Sequence, residues 1–291
     1  MTFQLSTPLH ASVTLLCENT ARGSGILGEH GLCWWIESAG RHLLFDLGQG
    51  LSLNANAAAL GIKLSETDAI VLSHGHYDHL GGWVALPERA KAVPVFLHPD
   101  ALLPKFQKRA DGRVVPAGNS GVAESLPKEA LNIIAQRTPT EVLPGIWMTG
   151  QVPRLNNYED TGGHFVQDRA GLIEDPIHDD QSLFFLTSEG IVVILGCAHS
   201  GVINTLHYIQ SLTGQQHIHA ALGGMHLLHA SPERMRRTIE ALKEIAPDWI
   251  APNHCTGDAA MAELCMAFRS QYFECHAGQQ FTFPKINTPS T

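Results

Sequence analysis

No two of the six cysteines (17, 33, 197, 255, 265 and 275) form a Cys-x-x-Cys pair. A zinc ribbon and a disulfide scaffold are therefore not expected, and most of the thiols read as small buried hydrophobes. No apolar run reaches the roughly eighteen residues that a membrane-spanning helix needs. The first eleven residues lack a basic start followed by an apolar stretch, which removes a secretory signal and points to a cytoplasmic location. Basic residues are few: 19 Lys and Arg stand against 28 Asp and Glu, and the net charge of -9 repels phosphate backbones and acidic lipid. Nucleic acid and membrane are not expected partners, whereas a small-molecule substrate is. There is no internal repeat, low-complexity tract or composition break, so residues 1–291 read as a single domain, with the oligomeric state open and a homodimer one option. With 44% apolar and only 16% charged residues, that domain can build a large core.

What the chain has instead is histidine, 17 of them, set in an alternation of strand and helix signals. β-Favouring runs at 12–17, 32–37 and 42–45, with a tight turn at Ala39-Gly40, predict an early meander. Residues 51–60 predict a short helix closed by Gly61, and 69–72 a short buried strand. Between 86 and 180, Pro104, Pro116, Pro127, Pro139, Pro144 and Pro153 punctuate the chain. Apart from a strand at 93–97, loops and short strands are expected there. Further on, 182–186 and 191–195 predict a hairpin, 202–212 and 232–245 helices, and 218–222 and 249–251 strands. Three of these later strands lead into His199, His226 and His254. Loops beyond strand ends are where a rigid α/β scaffold converges side chains on one point.

The strand at 69–72 leads into something denser. Ser73-His74-Gly75-His76-Tyr77-Asp78-His79-Leu80-Gly81-Gly82 packs three imidazoles and a carboxylate into six positions. In the extended part His74 and His76 fall on one side by the two-residue period and can share a metal, while the following turn lets Asp78 and His79 face a second. Nitrogen and carboxylate donors suit zinc, and also manganese or iron. Two such ions can hold a water between them and lower its pKa, so that a metal-bound hydroxide attacks with Asp78 positioning it. His217 and His219 share the alternating spacing, but no carboxylate or third histidine follows, and they read as strand residues. His10, His42, His98, His164, His178, His207, His229 and His276 are assigned no role.

His-x-His-x-Asp-His after a short apolar strand resembles the signature of the metallo-β-lactamase superfamily. The resemblance implies an α/β fold, a four-layer αβ/βα sandwich with mixed sheets, and two divalent ions. It implies His199 as the third ligand of the first metal and His254 as the last ligand of the second. Asp46 resembles the early aspartate that orients ligands. The place of the carboxylate that bridges the metals is taken by Cys197 or supplied from elsewhere, Asp179 and Asp180 being carboxylate sources. Glu18-Asn19-Thr20, Leu27-Gly28-Glu29-His30-Gly31, Asp179-Asp180-Gln181-Ser182-Leu183, Gly196-Cys197-Ala198-His199, Gly223-Gly224-Met225-His226-Leu227 and His254-Cys255-Thr256-Gly257 narrow the likeness. They resemble the subgroup named for 7,8-dihydropterin-6-methyl-4-(β-D-ribofuranosyl)aminobenzene-5'-phosphate synthase. His30 and His226 match its motifs, which implies substrate binding or support of the ligands; Asn253 and Met225 depart from its pattern. Two activities are implied: a hydrolase of a small anionic, phosphate-bearing substrate, or a transferase joining dihydropterin pyrophosphate to a ribofuranosylaminobenzene phosphate. A flavin-linked di-iron enzyme, which carries Glu where His76 stands, and a metal-free binding module are the rivals.

Overall fold

The computed structural model describes residues 8–130 and 132–283. Strands β1 (Ala11–Cys17), β2 (Cys33–Ser38) and β3 (Arg41–Phe45) form the expected antiparallel meander. Its tight turn has Ala39 and Gly40 both at positive φ, 50° and 72°, the combination that matches strand twist in a two-residue hairpin. Side chains along these strands divide by parity: Val13, Leu15, Trp34, Ile36 and Phe45 enter one apolar cluster, and Leu16, Trp35 and Leu44 enter another on the opposite face. A sheet that is apolar on both faces has to be covered on both.

The remaining strands are β4 (Ala69–Val71), β5 (Pro94–Leu97), β6 (Phe106–Lys108), β7 (Val114–Pro116), β8 (Asn132–Ala135), β9 (Thr140–Leu143), β10 (Ile146–Met148), β11 (Phe165–Val166), β12 (Leu183–Thr187), β13 (Gly190–Leu195), β14 (Ile218–Gly224), β15 (Trp249–Asn253) and β16 (Gln280–Phe283). They build a seven-stranded sheet (β16-β1-β2-β3-β4-β5-β8), a six-stranded sheet (β15-β14-β13-β12-β10-β9) and a small three-stranded sheet (β11-β6-β7). The helices are α1 (Leu53–Ala59), α2 (Tyr77–Leu80), α3 (Glu88–Lys91), α4 (Ser120–Glu129), α5 (Val202–Thr213), α6 (Pro232–Ile245) and α7 (Asp258–Phe268).

Phe185, Ile194 and Leu222 of the six-stranded sheet meet Val13, Trp34 and Phe45 of the seven-stranded one, so the two sheets face each other across the main core. Leu53 and Ala57 of α1 and Val122 and Leu126 of α4 cover the outer face of the first sheet. Leu206, Met235, Leu242, Leu264 and Phe268 of α5, α6 and α7 cover the outer face of the second. Helix, sheet, sheet, helix is the expected four-layer sandwich, and both large sheets mix parallel with antiparallel pairs. Among the described residues no helix is long and apolar enough to cross a membrane.

Residues 86–180 hold two helices, α3 and α4, where the prolines predict loops and short strands. Helix α4 starts at Asn119, whose side-chain oxygen accepts the Val122 amide at 3.1 Å, and Pro127 falls in its last turns. Strand β16, for which no signal had been noted, pairs with β1 and extends the first sheet. Most consequential for function, β13, β14 and β15 run parallel, as do β3 and β4. Their C-terminal ends therefore deliver His199, His226, His254, Asp46 and Ser73 to one edge of the sandwich.

Candidate metal centre

The chain turns sharply where it leaves these strands. Asp46, Ala198, His226 and His254 all have left-handed backbones, with φ of 61°, 56°, 45° and 50°. Each such residue costs on the order of 1–3 kcal/mol, a strain that packing elsewhere must offset and that collects at functional sites. Between His74 and His76, only a glycine fits: a Cβ on Gly75 would stand 2.1 Å from the Ala101 carbonyl oxygen. His76 is still extended (φ -76°, ψ 149°), and the single turn of α2 that follows swings Asp78 and His79 round towards it.

Hydrogen bonds then decide which nitrogen each imidazole presents. Ser73 Oγ donates its one hydrogen to Asp46 Oδ2 at 2.7 Å, so in its 2.8 Å contact with His74 Nδ1 the ring is the donor and Nε2 is left bare. His79 Nδ1 donates to Asp46 Oδ2 at 2.7 Å, and His199 Nδ1 to the Thr161 carbonyl at 2.8 Å. His254 Nδ1 lies 3.0 Å from Asn19 Oδ1. Four rings from distant parts of the chain are thus tied at Nδ1 and offer Nε2 inward, the arrangement in which partners behind the ring fix its tautomer and aim.

The inward atoms form two adjoining groups. One ring nitrogen each of His74, His76 and His199 lie within 4.8 Å of one another, with His74 Nε2 2.9 Å from His76 Nδ1. The Nε2 of His199 is buried with no hydrogen-bond partner. In the second group His254 Nε2 lies 3.2 Å from His79 Nε2 and 3.3 Å from Asp78 Oδ2, and Asp78 Oδ2 is 3.7 Å from His79 Nε2. Cys197 Sγ, 3.1 Å from His79 Nε2, belongs with His74 and His79 on one side and with His254 and Cys255 on the other. The thiol therefore stands between the two groups. Asp179 and Asp180 do not join any donor group found among the described residues. Asp180 Oδ2 accepts the Ser200 amide at 2.8 Å and Asp179 Oδ2 the Gly75 amide at 2.8 Å, so each carboxylate holds a ligand-bearing loop from behind.

Electrostatics match this division. Burial, followed by the charges of neighbouring histidines, holds His74 well below the usual imidazole range; burial likewise depresses His76 and His199, so all three are neutral rings. For His79 burial works in the same sense but loses to Asp46 and Asp78, which raise its pKa to about 9. Burial pulls Asp78 up, yet His79 and His254 outweigh it and leave the carboxyl well below its normal range. A pocket that keeps a proton on His79 is one that welcomes positive charge, and neutral nitrogens with an ionised carboxylate are the donors that divalent metal ions take.

The other sequence candidates lie close by. His30, half exposed, puts Nε2 3.2 Å from Asp78 Oδ2. His226 packs against His199 with ring centroids 4.0 Å apart and the rings tilted by 43°, and its Nδ1 is buried without a hydrogen-bond partner. Sequence reasoning missed several supports. Glu18 Oε1 accepts the His254 amide at 2.8 Å, and Arg154 donates to the His199 carbonyl at 2.9 Å. Buried Lys105 joins Asp179 at 2.8 Å and Asp175 at 3.1 Å. Glu18 and Asn19 did stand in a stretch resembling the subgroup; Lys105 and Arg154 had no signal, because their partners lie tens of residues away. A cleft of about 740 Å³ opens beside the cluster, lined by Lys108, Arg109, Thr161, His164, Phe165 and His229. Thr161 and Phe165 join the cleft to the centre, Thr161 through its carbonyl to His199 and Phe165 by packing on His76 and His199 at centroid distances of 4.9 and 5.3 Å. His164 and His229, assigned no role from sequence, thus line a cleft next to the site.

The chain is 29% identical over 280 residues to the 7,8-dihydropterin-6-methyl-4-(β-D-ribofuranosyl)-aminobenzene-5'-phosphate synthase of Methanocaldococcus jannaschii, covering 93% of this chain and 95% of that one. It is 34% identical over 254 residues to an uncharacterized protein of the same archaeon, covering 87% and 93%. The crystal structure of Tm1679, a metal-dependent hydrolase of the β-lactamase superfamily, superposes with a TM-score of 0.79 at 28% identity, covering 94% of this chain and 98% of that one. The sequence model of the metallo-β-lactamase superfamily matches residues 27–254, a span that begins just before His30 and ends on His254, and the chain belongs to that superfamily.

Proposed function

We propose that the protein is a dinuclear metal-dependent enzyme acting on a small anionic, phosphate-bearing substrate, with hydrolysis as the reaction. The observation that carries this is the pair of adjoining donor groups, His74, His76 and His199 beside Asp78, His79 and His254, with Nε2 atoms aimed inward by Ser73, Asp46, Thr161 and Asn19. Zinc fits the nitrogen-rich set, and manganese or iron fit the same donors. Bound there, divalent ions make water more acidic and polarise the oxygen under attack.

The chain's own groups do the rest. The ionised Asp78 carboxylate would orient the attacking water by accepting a hydrogen bond from it, and half-exposed His30, with Nε2 3.2 Å from Asp78 Oδ2, stands at the solvent side of that carboxylate. Lys108 and Arg109 line the cleft together with Asp160, Glu174 and Asp175; Arg234 and Lys105 neutralise Asp160 and Asp175, which leaves the two cationic side chains available to a phosphate-bearing ligand at that mouth. Phe165 lines the cleft, packs on His76 and His199, and offers an apolar face to the uncharged part of a substrate. His226, with its pKa lowered to about 3 by burial and by Arg234, is a neutral ring beside His199.

A second reading, transfer of a dihydropterin from its pyrophosphate to a ribofuranosylaminobenzene phosphate, is favoured by the likeness to the archaeal synthase along nearly all of both chains. It needs the same site, with pyrophosphate as the leaving group. Metal-loaded protein should be assayed on a generic phosphodiester, and on dihydropterin pyrophosphate with and without the aromatic amine. Phosphodiester turnover without amine supports hydrolysis; pyrophosphate release that requires the amine supports transfer. No turnover of either by fully loaded protein defeats both.

A further inference from the structure

The second half of the chain carries another histidine pair, His217 and His219, at the opposite end of β14 from the centre described above. From sequence these were strand residues with no carboxylate following. In the fold a carboxylate does arrive: β15 runs parallel to β14, with Ala220 opposite Trp249, and this brings Asp248 alongside. Asp248 Oδ2 lies 3.0 Å from His217 Nε2 and 2.8 Å from His219 Nδ1. The other nitrogen of His219, Nε2, faces Glu189 Oε2 at 3.1 Å, off the line of a hydrogen bond, from the turn between β12 and β13.

This arrangement has one proton too few for a neutral ring. His219 is 5% exposed, and each of its nitrogens faces a carboxylate. A neutral imidazole carries a single N–H, so one lone pair would confront a carboxylate oxygen. A cation held by His219 Nδ1, His217 Nε2 and Asp248 Oδ2 resolves the conflict, because the ring's proton then sits on Nε2, the nitrogen on the Glu189 side, and a small turn of the Glu189 side chain brings its carboxylate into line. That is the carboxylate–histidine–metal order by which proteins orient an imidazole ligand. One donor atom from each of the three residues already lies within 4.8 Å of the others. Tetrahedral ligands on bonds of about 2.0–2.1 Å sit roughly 3.3 Å apart. The two short contacts therefore have to open by only a few tenths of an ångström, which half-exposed His217 and Asp248 can accommodate.

We infer that His217, His219 and Asp248 form a second, surface binding site for a divalent transition-metal ion of the zinc class, with water completing the coordination and Glu189 orienting His219. The site ties the starts of β14 and β15 to the β12–β13 turn, and its role is to stabilise that end of the sheet.

Elemental analysis and zinc titration calorimetry on protein already loaded at the first centre test the idea, comparing wild type with His217→Ala and Asp248→Asn. Both positions are about half exposed, so the variants should fold. The expected result is one more zinc equivalent in wild type than in either variant, and a thermal midpoint that excess zinc raises by a few degrees in wild type alone, with turnover unchanged. Equal stoichiometry and equal midpoint shifts in all three proteins would overturn the inference and leave a protonated His219 bridging Asp248 and Glu189.

Discussion

Histidines and carboxylates gather at both ends of β14, and the two ends are built differently. At the C-terminal end the rings of His74, His79, His199 and His254 are buried and each Nδ1 is engaged from behind. At the N-terminal end His217 and Asp248 are about half exposed, and one ring, His219, has a carboxylate behind it. Rigid aim is costly: the buried end contains four left-handed non-glycine residues and a lysine sunk between two aspartates. A protein accepts such strain where donor atoms must be held in place for chemistry, whereas an ion that only stabilises can be held by mobile side chains at the surface.

The comparison breaks most readily at the buried end. Replacing His254 by Ala should cost more than about 100-fold in turnover and lower the metal content of purified protein, since ligand support alone is worth 10–100-fold; full metal retention would separate this ring from the donors. Lys105→Met leaves Asp175 and Asp179 facing each other without their cation, and urea titration should show a loss of about 3–5 kcal/mol. A loss below about 1 kcal/mol would mean that the buried ion pair does not hold the His74–His76 loop. Asn19→Ala frees His254 to rotate while leaving every donor present, so metal affinity measured by chelator competition should fall about 10–100-fold with little change in fold. The smallest effect is expected at the exposed end, where Glu189→Gln should alter turnover by less than about twofold and stability by no more than about 1 kcal/mol, read from a thermal melt. A large activity loss there would show that the two ends of β14 are coupled.

Legibility from sequence follows the same divide. The contiguous run from His74 to His79 is readable because its ligands are neighbours in the chain, and the strands of the meander and of the parallel pairs are readable because each is a local run of apolar, β-favouring residues. Asp180 was set beside the bridging role on chain position, and space assigns it instead to the Ser200 amide. Cys197 was recognised at the right place, but its position between the two groups required strands β13, β14 and β15 to be aligned. Helix α4 is hidden in the sequence by the run of prolines that includes Pro127, and its cap at Asn119 shows only in the fold.

By itself, then, the chain specified its strands through two-residue alternation, its histidine run, and the family pattern that places His199 and His254 after later strands. What only the folded molecule decided is which nitrogen each ring offers, that Glu18, Asn19, Thr161 and Lys105 stand behind the site, and that Asp248 meets His217 and His219. The physical reason is that secondary structure and local motifs depend on neighbours within a few residues. Ring tautomer, burial and ion pairing depend on whatever atoms lie within about 3 Å, and those are chosen by strand order and register.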